Sequence, residues 1–137
     1  MGNRSAIIIR VDKNKAIEIY SHWRGDEIVA RLPEALEIAK DRYDDVSYFT
    51  RIVIQNILNN IVDPNSERGA GIDICNWNNY DDFHLNNNPV FIDPTNKTVR
   101  CGGNIWKFED IIKHGYIGIS CAMCGHQRVK MKRKIEI

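Results

Sequence analysis

The feature that most constrains the fold is a run of isoleucines near the start of the chain. Residues 6–11 read Ala-Ile-Ile-Ile-Arg-Val, and a short apolar run rich in β-branched residues is typical of a buried strand. A polar turn follows, and residues 16–22 then alternate isoleucine with polar side chains. The two segments predict a β-hairpin.

Two segments with helical spacing come next. Apolar residues recur at three- and four-residue steps in 28–39 and again in 48–61, which predicts two amphipathic helices. Asp26 is a plausible N-cap for the first of them. Pro33 either starts the regular first helix at its first turn or kinks a longer helix.

The rest of the chain reads as short strands around an asparagine-rich loop at 76–88. Strands are predicted at 71–75, 89–93, 98–101, 116–120 and 127–137, with a helical turn at 108–114. This order predicts an α+β fold: an antiparallel sheet with two helices packed on one face, followed by a small cysteine-bearing β unit.

Charge is unevenly distributed along the 137 residues. The net charge is +1, but residues 1–100 carry 12 basic and 15 acidic side chains, whereas residues 101–137 carry 7 and 3. We therefore expect an α+β body at 1–100 and a basic β unit at 101–137 packed on it. The average charge excludes a globally basic nucleic-acid binder.

The sequence predicts neither a membrane span nor a secretory signal. No apolar run approaches the roughly 20 residues that a span needs, and the N-terminus leads directly into a strand. These observations predict a protein of the cytoplasm, without a membrane partner.

The C-terminal cysteines predict a structural zinc site. Cys121 and Cys124 form a Cys-x-x-Cys turn followed by glycine, and Cys101 precedes two glycines, so three thiolates are available where zinc takes four ligands. The alternative is that these cysteines are small buried apolar residues. The fourth ligand is open between His126, His114, His84 and Cys75, and we favour His114.

This segment resembles a small bacterial family known only as a domain of unknown function. The likeness is carried by Cys101-Gly102-Gly103-Asn104-Ile105-Trp106 and by Cys121-Ala122-Met123-Cys124-Gly125, followed by a basic stretch. It covers about the last 37 residues and implies a small β module. In that family a histidine usually precedes the first cysteine, whereas this chain has Val99 and Arg100 there.

A ligand-binding corner is predicted where the hairpin meets the first helix. Trp23 offers a stacking surface and Arg24 a phosphate-binding guanidinium, although Trp23 could instead close the core beneath the helix. The aromatic loop, with Trp77, Tyr80 and Phe83, is either a second contact surface or a loop anchored by its aromatic residues. The predicted ligand-binding set is Trp23, Arg24, Arg31, Arg51, Phe83 and Arg128, the last from the basic C-terminal strand.

No motif of a known catalytic site is present. His22, His84 and Asp73 could be assembled into a site, but the sequence contains no nucleophile elbow, P-loop, His-Glu-x-x-His or dinucleotide fingerprint. We therefore predict a protein that is not an enzyme.

The N-terminal part resembles small proteins of bacteriophages and prophages. The likeness is carried by Met1-Gly2-Asn3-Arg4, Tyr20-x-His22-Trp23-x-Gly25 and Ser47-Tyr48-Phe49-Thr50-Arg51, and it covers roughly the first 75 residues. Size and element order are also similar to those of the phage anti-Thoeris sponges, which capture a cyclic ADP-ribose isomer and in some cases cyclic oligonucleotides.

This second resemblance implies a counter-defence protein in the bacterial cytoplasm. Such a protein sequesters a small anionic nucleotide signal and forms homo-oligomers. The alternative function is a zinc-ribbon-like module that binds nucleic acid or a host protein through its basic C-terminal strand, which we favour less.

Overall fold

The computed structural model describes residues 3–59, 65 and 67–114, which form one six-stranded sheet and four helices. No helix in this part of the chain is long and apolar enough to cross a membrane. The strands are β1 (Ser5–Arg10), β2 (Lys15–Ser21), β3 (Gly71–Asn76), β4 (Val90–Asp93), β5 (Thr98–Cys101) and β6 (Asn104–Lys107). The helices are α1 (Gly25–Ala30), α2 (Leu32–Ile38), α3 (Val46–Asn59) and α4 (Phe108–His114).

The strands follow the order β3-β2-β1-β4-β5-β6 across the sheet. Four of the five strand pairs are antiparallel, and the central pair, β1 with β4, is parallel. Strands joined by a tight turn must run antiparallel, whereas β1 and β4 are joined by a long crossover and are free of that constraint. The predicted α+β class is confirmed, with this one parallel pair as the departure from an antiparallel sheet.

The helices cover one face of the sheet. In β1, Ile7 and Ile9 face the helices and Ile8 faces the other side, and all three are fully buried because β1 lies at the centre of the sheet. The predicted first helix divides at Arg31 into α1 and α2. Pro33 stands in the first turn of α2, where its missing N–H breaks no helical hydrogen bond.

Helix α3 carries the predicted apolar face. Phe49, Val53 and Ile57 are fully buried along it. The Phe49 ring stacks on that of Phe108 in α4 with centroids 5.7 Å apart, and Tyr43 packs edge-on against both rings. Helix α4 therefore belongs to the same core as α3.

The body of the protein continues past residue 100, where the sequence predicts a boundary. Strand β6, which the sequence analysis does not predict, pairs with β5 along its whole length. The turn between them uses Gly102 and Gly103 at φ angles of 58° and 90°, a region that favours glycine. The predicted strands 116–120 and 127–137 and the Cys-x-x-Cys turn lie outside the described residues.

Candidate functional site on the loop-covered face of the sheet

The loop at 77–89 lies across the face of the sheet opposite the helices, which we call the loop-covered face. Trp77 and Tyr80 pack there against apolar residues of β1 and β2. At the far end of the loop, Asn87 Nδ2 donates to Ser5 Oγ at 2.7 Å. For Trp77 and Tyr80 the alternative interpretation is confirmed, because these side chains anchor the loop to the sheet.

A buried glutamate holds the middle of this loop. Glu18 of β2 is 8% exposed, and the Tyr80 hydroxyl donates to its Oε2. His84 Nε2 lies 3.2 Å from the same oxygen and 3.3 Å from the Tyr80 hydroxyl. Burial, and then the hydrogen bond to Glu18, raise the pKa of Tyr80 far above its usual range. The hydroxyl therefore stays protonated and continues to donate.

A continuous ring series crosses the loop-covered face. Centroids of neighbouring rings are 4.4–6.3 Å apart, the range of ordinary aromatic contacts. Its members, in order across the face, are Trp77, Phe91, Tyr80, His84, Tyr20, His22 and Trp23. The two ends of the series differ. Arg10 and Arg100 lie over Trp77 at one end, whereas Trp23 at the other end is exposed to solvent.

Two of the three polar residues that could form a catalytic set, His22 and His84, both contact Tyr20. Tyr20 links the two histidines, because its hydroxyl is 3.0 Å from His22 Nδ1 and its ring centroid is 5.6 Å from that of His84. Asp73 of β3 lies directly opposite Glu18 in the strand register. Hydroxyl and imidazole groups in such contact can pass protons between them, and the absence of enzymatic activity stays a prediction.

Trp23 is exposed at the junction of β2 and α1. It is 65% exposed, so the alternative in which it closes the core is wrong. The His22 ring meets the indole at a steep angle, with centroids 4.4 Å apart. Arg24 donates its backbone N–H to Ser21 Oγ and forms a 3.6 Å ion pair with Glu27. We call His22, Trp23 and Arg24 the Trp23 corner.

Gly25 lets the start of α1 approach the extension of β1. Its N–H donates to the Asn3 carbonyl oxygen at 3.0 Å. A Cβ at position 25 would lie 2.5 Å from that oxygen and 2.4 Å from Ser5 Oγ, so no side chain fits without displacing the strand. The glycine thereby helps to set the position of the Trp23 corner.

The remaining predicted ligand residues lie on other elements of the fold. Arg31 and Arg51 lie in the helix layer, where Arg31 pairs with a glutamate at 3.5 Å and Arg51 donates to a glutamine at 2.7 Å. Phe83 is 91% exposed in the loop, next to the ring series. Arg128 lies outside the described residues. Arg31 and Arg51 therefore have partners of their own in the helix layer, and their grouping with Trp23 stays a prediction.

Two arginines that the sequence analysis does not single out lie at the other end of the ring series. The guanidinium carbons of Arg10 and Arg100 are 5.6 Å and 5.7 Å from the Trp77 ring centroid. Arg100 is also 4.2 Å from that of Phe91, and both arrangements are cation–π contacts. The sequence shows an arginine on each of two predicted strands, but it does not show that those strands lie close together.

The predicted zinc ligands fall only partly within the described residues. Cys101 is fully buried in the core, with its Sγ 3.8 Å from the Asn88 carbonyl oxygen, as expected for a small apolar core residue. His114 is exposed at the end of α4, and Cys121 and Cys124 lie outside the described part. Within that part, no group of three or more His, Cys, Asp or Glu side chains could hold a metal ion, and bound zinc stays a prediction.

Cys75 has an environment that suppresses its ionisation. Burial raises the pKa of Cys75 from 9.0 to about 11, and the Glu18 and Asp73 carboxylates contribute to the rise. Because the thiolate is the reactive form, we expect its alkylation rate to rise about tenfold per pH unit beyond pH 9 instead of levelling there. Peptide-resolved mass spectrometry after iodoacetamide treatment measures this rate.

The raised pKa of Cys75 also makes the stability of the fold depend on pH. The folded pKa lies above the unfolded one, so this contribution to stability is intact below about pH 9 and is lost as the pH rises toward about 11. Replacing Asp73 by asparagine is expected to move the alkylation profile to lower pH. A native profile that levels near pH 9 would contradict the buried, acidic environment of Cys75.

Comparisons with protein-family models, with curated proteins and with solved structures find no match to this chain.

Proposed function

We propose that this protein binds a small anionic nucleotide at the Trp23 corner and holds it without transforming it. The observation that carries the proposal is the exposed indole of Trp23 at the open end of the ring series. Large aromatic side chains are usually buried, and an indole held at the surface by a neighbouring ring is suited to stack on a nucleobase.

The contact with His22 leaves room for a base. The two rings are inclined by 68°, so this contact covers at most one face of the indole. The other face is available for stacking, which contributes about 1–3 kcal/mol per base. His22 is itself held by the Tyr20 hydroxyl at 3.0 Å, so the corner is ordered before a ligand arrives.

Positive charge accompanies the indole. Arg24 follows the indole directly in the chain and forms a long, half-exposed ion pair with Glu27, so a guanidinium lies beside the proposed stacking surface. Arg4 lies on the extension of β1, where the Asn3 N–H donates to the His22 carbonyl oxygen at 2.8 Å. Burial raises the pKa of Tyr20, and the nearby Arg4 guanidinium offsets part of that rise.

The phage resemblance suggests what this binding is for. A protein that sequesters a nucleotide signal needs affinity and abundance, and it needs no catalytic group. We propose that the ligand is a cyclic nucleotide used as an immune signal by a bacterial host, and that the protein acts in the cytoplasm as a homo-oligomer.

Calorimetric titration with cyclic ADP-ribose isomers and cyclic oligonucleotides tests the proposal. We expect saturable binding of at least one of them, and Trp23→Ala to weaken its affinity about 10- to 100-fold through lost stacking. Trp23→Phe is expected to retain part of the affinity. Ile38→Ala is the matched control, because Ile38 is also an exposed apolar residue, at 54%, but lies at the end of α2 in the helix layer.

Two outcomes decide against the proposal. Folded protein that binds none of these nucleotides excludes the ligand class. Recovery of a chemically altered ligand, detected by mass spectrometry after prolonged incubation, excludes simple sequestration.

A further inference from the structure

Arg100 lies on the loop-covered face with its guanidinium over two aromatic rings. Its guanidinium carbon is 4.2 Å from the centroid of Phe91 and 5.7 Å from that of Trp77, and the residue is exposed. A cation–π contact engages only the side of the guanidinium that meets the ring. The N–H groups lie in the plane of the guanidinium, so they stay available to an acceptor that approaches from the edge.

Arg10 contacts the same indole but uses its donors within the protein. Its Nε and Nη2 donate to the backbone oxygens of Asp12 and Lys13 at 3.2 Å and 3.1 Å, and its Nη1 pairs with Asp93 at 3.1 Å. In the part of the chain that the structure describes, Arg100 has no such hydrogen bond or ion pair. Arg10 therefore holds the indole in place, while the donors of Arg100 remain available.

The charges around Arg100 favour an anion. Asp93 on the neighbouring strand is engaged by Arg10 and by turn N–H groups. Lys107 is exposed on β6, on the same face and two residues along from Ile105, the partner of Arg100. Diagonal neighbours of this kind have Cα atoms about 7–8 Å apart, so one phosphate group can reach both cations.

We propose that Arg100 binds the phosphate group of a small phosphorylated molecule on the surface formed by Trp77 and Phe91, with Lys107 as a second cation. A phosphate monoester carries nearly two negative charges and three terminal oxygens, so it can accept two parallel N–H bonds from Arg100 and still meet Lys107. This site lies at the end of the ring series opposite the Trp23 corner, and it does not depend on the proposed function.

Fluorescence of Trp77 provides the test. In a Trp23→Phe/Trp106→Phe variant Trp77 is the one remaining tryptophan of the chain, and its emission is titrated with inorganic phosphate, adenosine monophosphate and adenosine. We expect a saturable change with the two phosphates and none with adenosine. Arg100→Gln is expected to weaken the binding about 10- to 100-fold, as for a lost charge-assisted hydrogen-bond pair.

Matched variants separate this site from general attraction of anions. Arg100→Lys keeps the charge but lacks the two-pronged geometry, so we expect an intermediate affinity. Lys113→Gln removes one exposed positive charge from α4 and is expected to leave the affinity unchanged. The shift of the Trp77 indole N–H in NMR spectra of the native chain gives a second readout that needs no tryptophan replacement.

Three results would overturn the proposal. The first is an unchanged affinity in folded Arg100→Gln, and the second is binding of acetate as tight as that of phosphate. The third is saturation by single-stranded oligonucleotides alone, which would assign the surface to a nucleic-acid backbone.

Discussion

Phe108→Ala is expected to lower the free energy of unfolding by about 3–5 kcal/mol, the usual loss for a phenylalanine removed from a packed core. Phe108 is 2% exposed, and its ring contacts those of Tyr43 and Phe49 at centroid distances of 4.9 Å and 5.7 Å. The cavity would open between α4 and α3, which both pack into one core cluster. Urea denaturation followed by circular dichroism measures the change.

Phe83→Ala is the matched control for this substitution. Phe83 is 91% exposed, so the same chemical change there should alter stability by less than about 0.5 kcal/mol. Phe108→Leu refills most of the cavity and should show a much smaller loss than alanine. Equal stability of Phe108→Ala and Phe83→Ala would contradict the assignment of α4 to the core of the body.

Asp93→Ala is expected to destabilise the protein by about 3 kcal/mol, because it removes several hydrogen bonds to one charged group. Asp93 is 7% exposed. One oxygen accepts from the backbone N–H groups of Thr95 and Asn96, and the other accepts from Arg10 and from the Asn96 side chain. Without the carboxylate, the turn from β4 to β5 loses its cap and Arg10 loses its ion pair.

Asp44→Ala is the matched control for the second substitution. Asp44 also pairs with a cation, Lys97 at 3.3 Å, but its side chain is 93% exposed, and exposed pairs of this kind contribute about 0–1 kcal/mol. Asp93→Asn keeps an acceptor for the turn and loses the charge, so its stability should fall between that of the native protein and that of Asp93→Ala. A loss for Asp93→Ala no larger than for Asp44→Ala would contradict this role. Urea titrations at constant ionic strength distinguish the three variants.

Local patterns predicted the elements whose formation depends on nearby residues. The isoleucines of β1, the alternation in β2 and the apolar face of α3 were all visible in the sequence, because burial imposes a period of two on strands and of about 3.6 on helices. Pro33 leaves two possibilities open in the sequence, a helix start or a kink, and the structure places it in the first turn of α2, whose backbone angle its ring favours.

The candidate sites are harder to predict from the sequence, because they depend on which strands are neighbours in the sheet. Arg10, Trp77 and Arg100 come from three separated segments, and their meeting requires the parallel β1–β4 pair, which no local pattern predicts. Local patterns do not predict strand β6, because it spans four residues and follows a Cys-Gly-Gly sequence that resembles a metal knuckle. The sequence also does not determine whether Trp23 faces the core or solvent, since an aromatic residue at a strand end can do either.

The parallel pair at the centre of the sheet makes the two halves of the chain depend on each other. On one side stand β3, β2 and β1, and on the other β4, β5 and β6. Among the described residues, the backbone ladder joins the two sides through Ile7–Ile9 and Val90–Ile92. Ile8 pairs with Phe91 only after a loop of some 80 residues has closed. Closing this loop costs more chain entropy than closing a local turn. The helices pack against both halves of the sheet, because one core cluster contains side chains from each half. We therefore expect the chain to fold as one cooperative unit when the β1–β4 pair forms. A fragment ending before β4 would leave the central strand β1 with an unpaired edge.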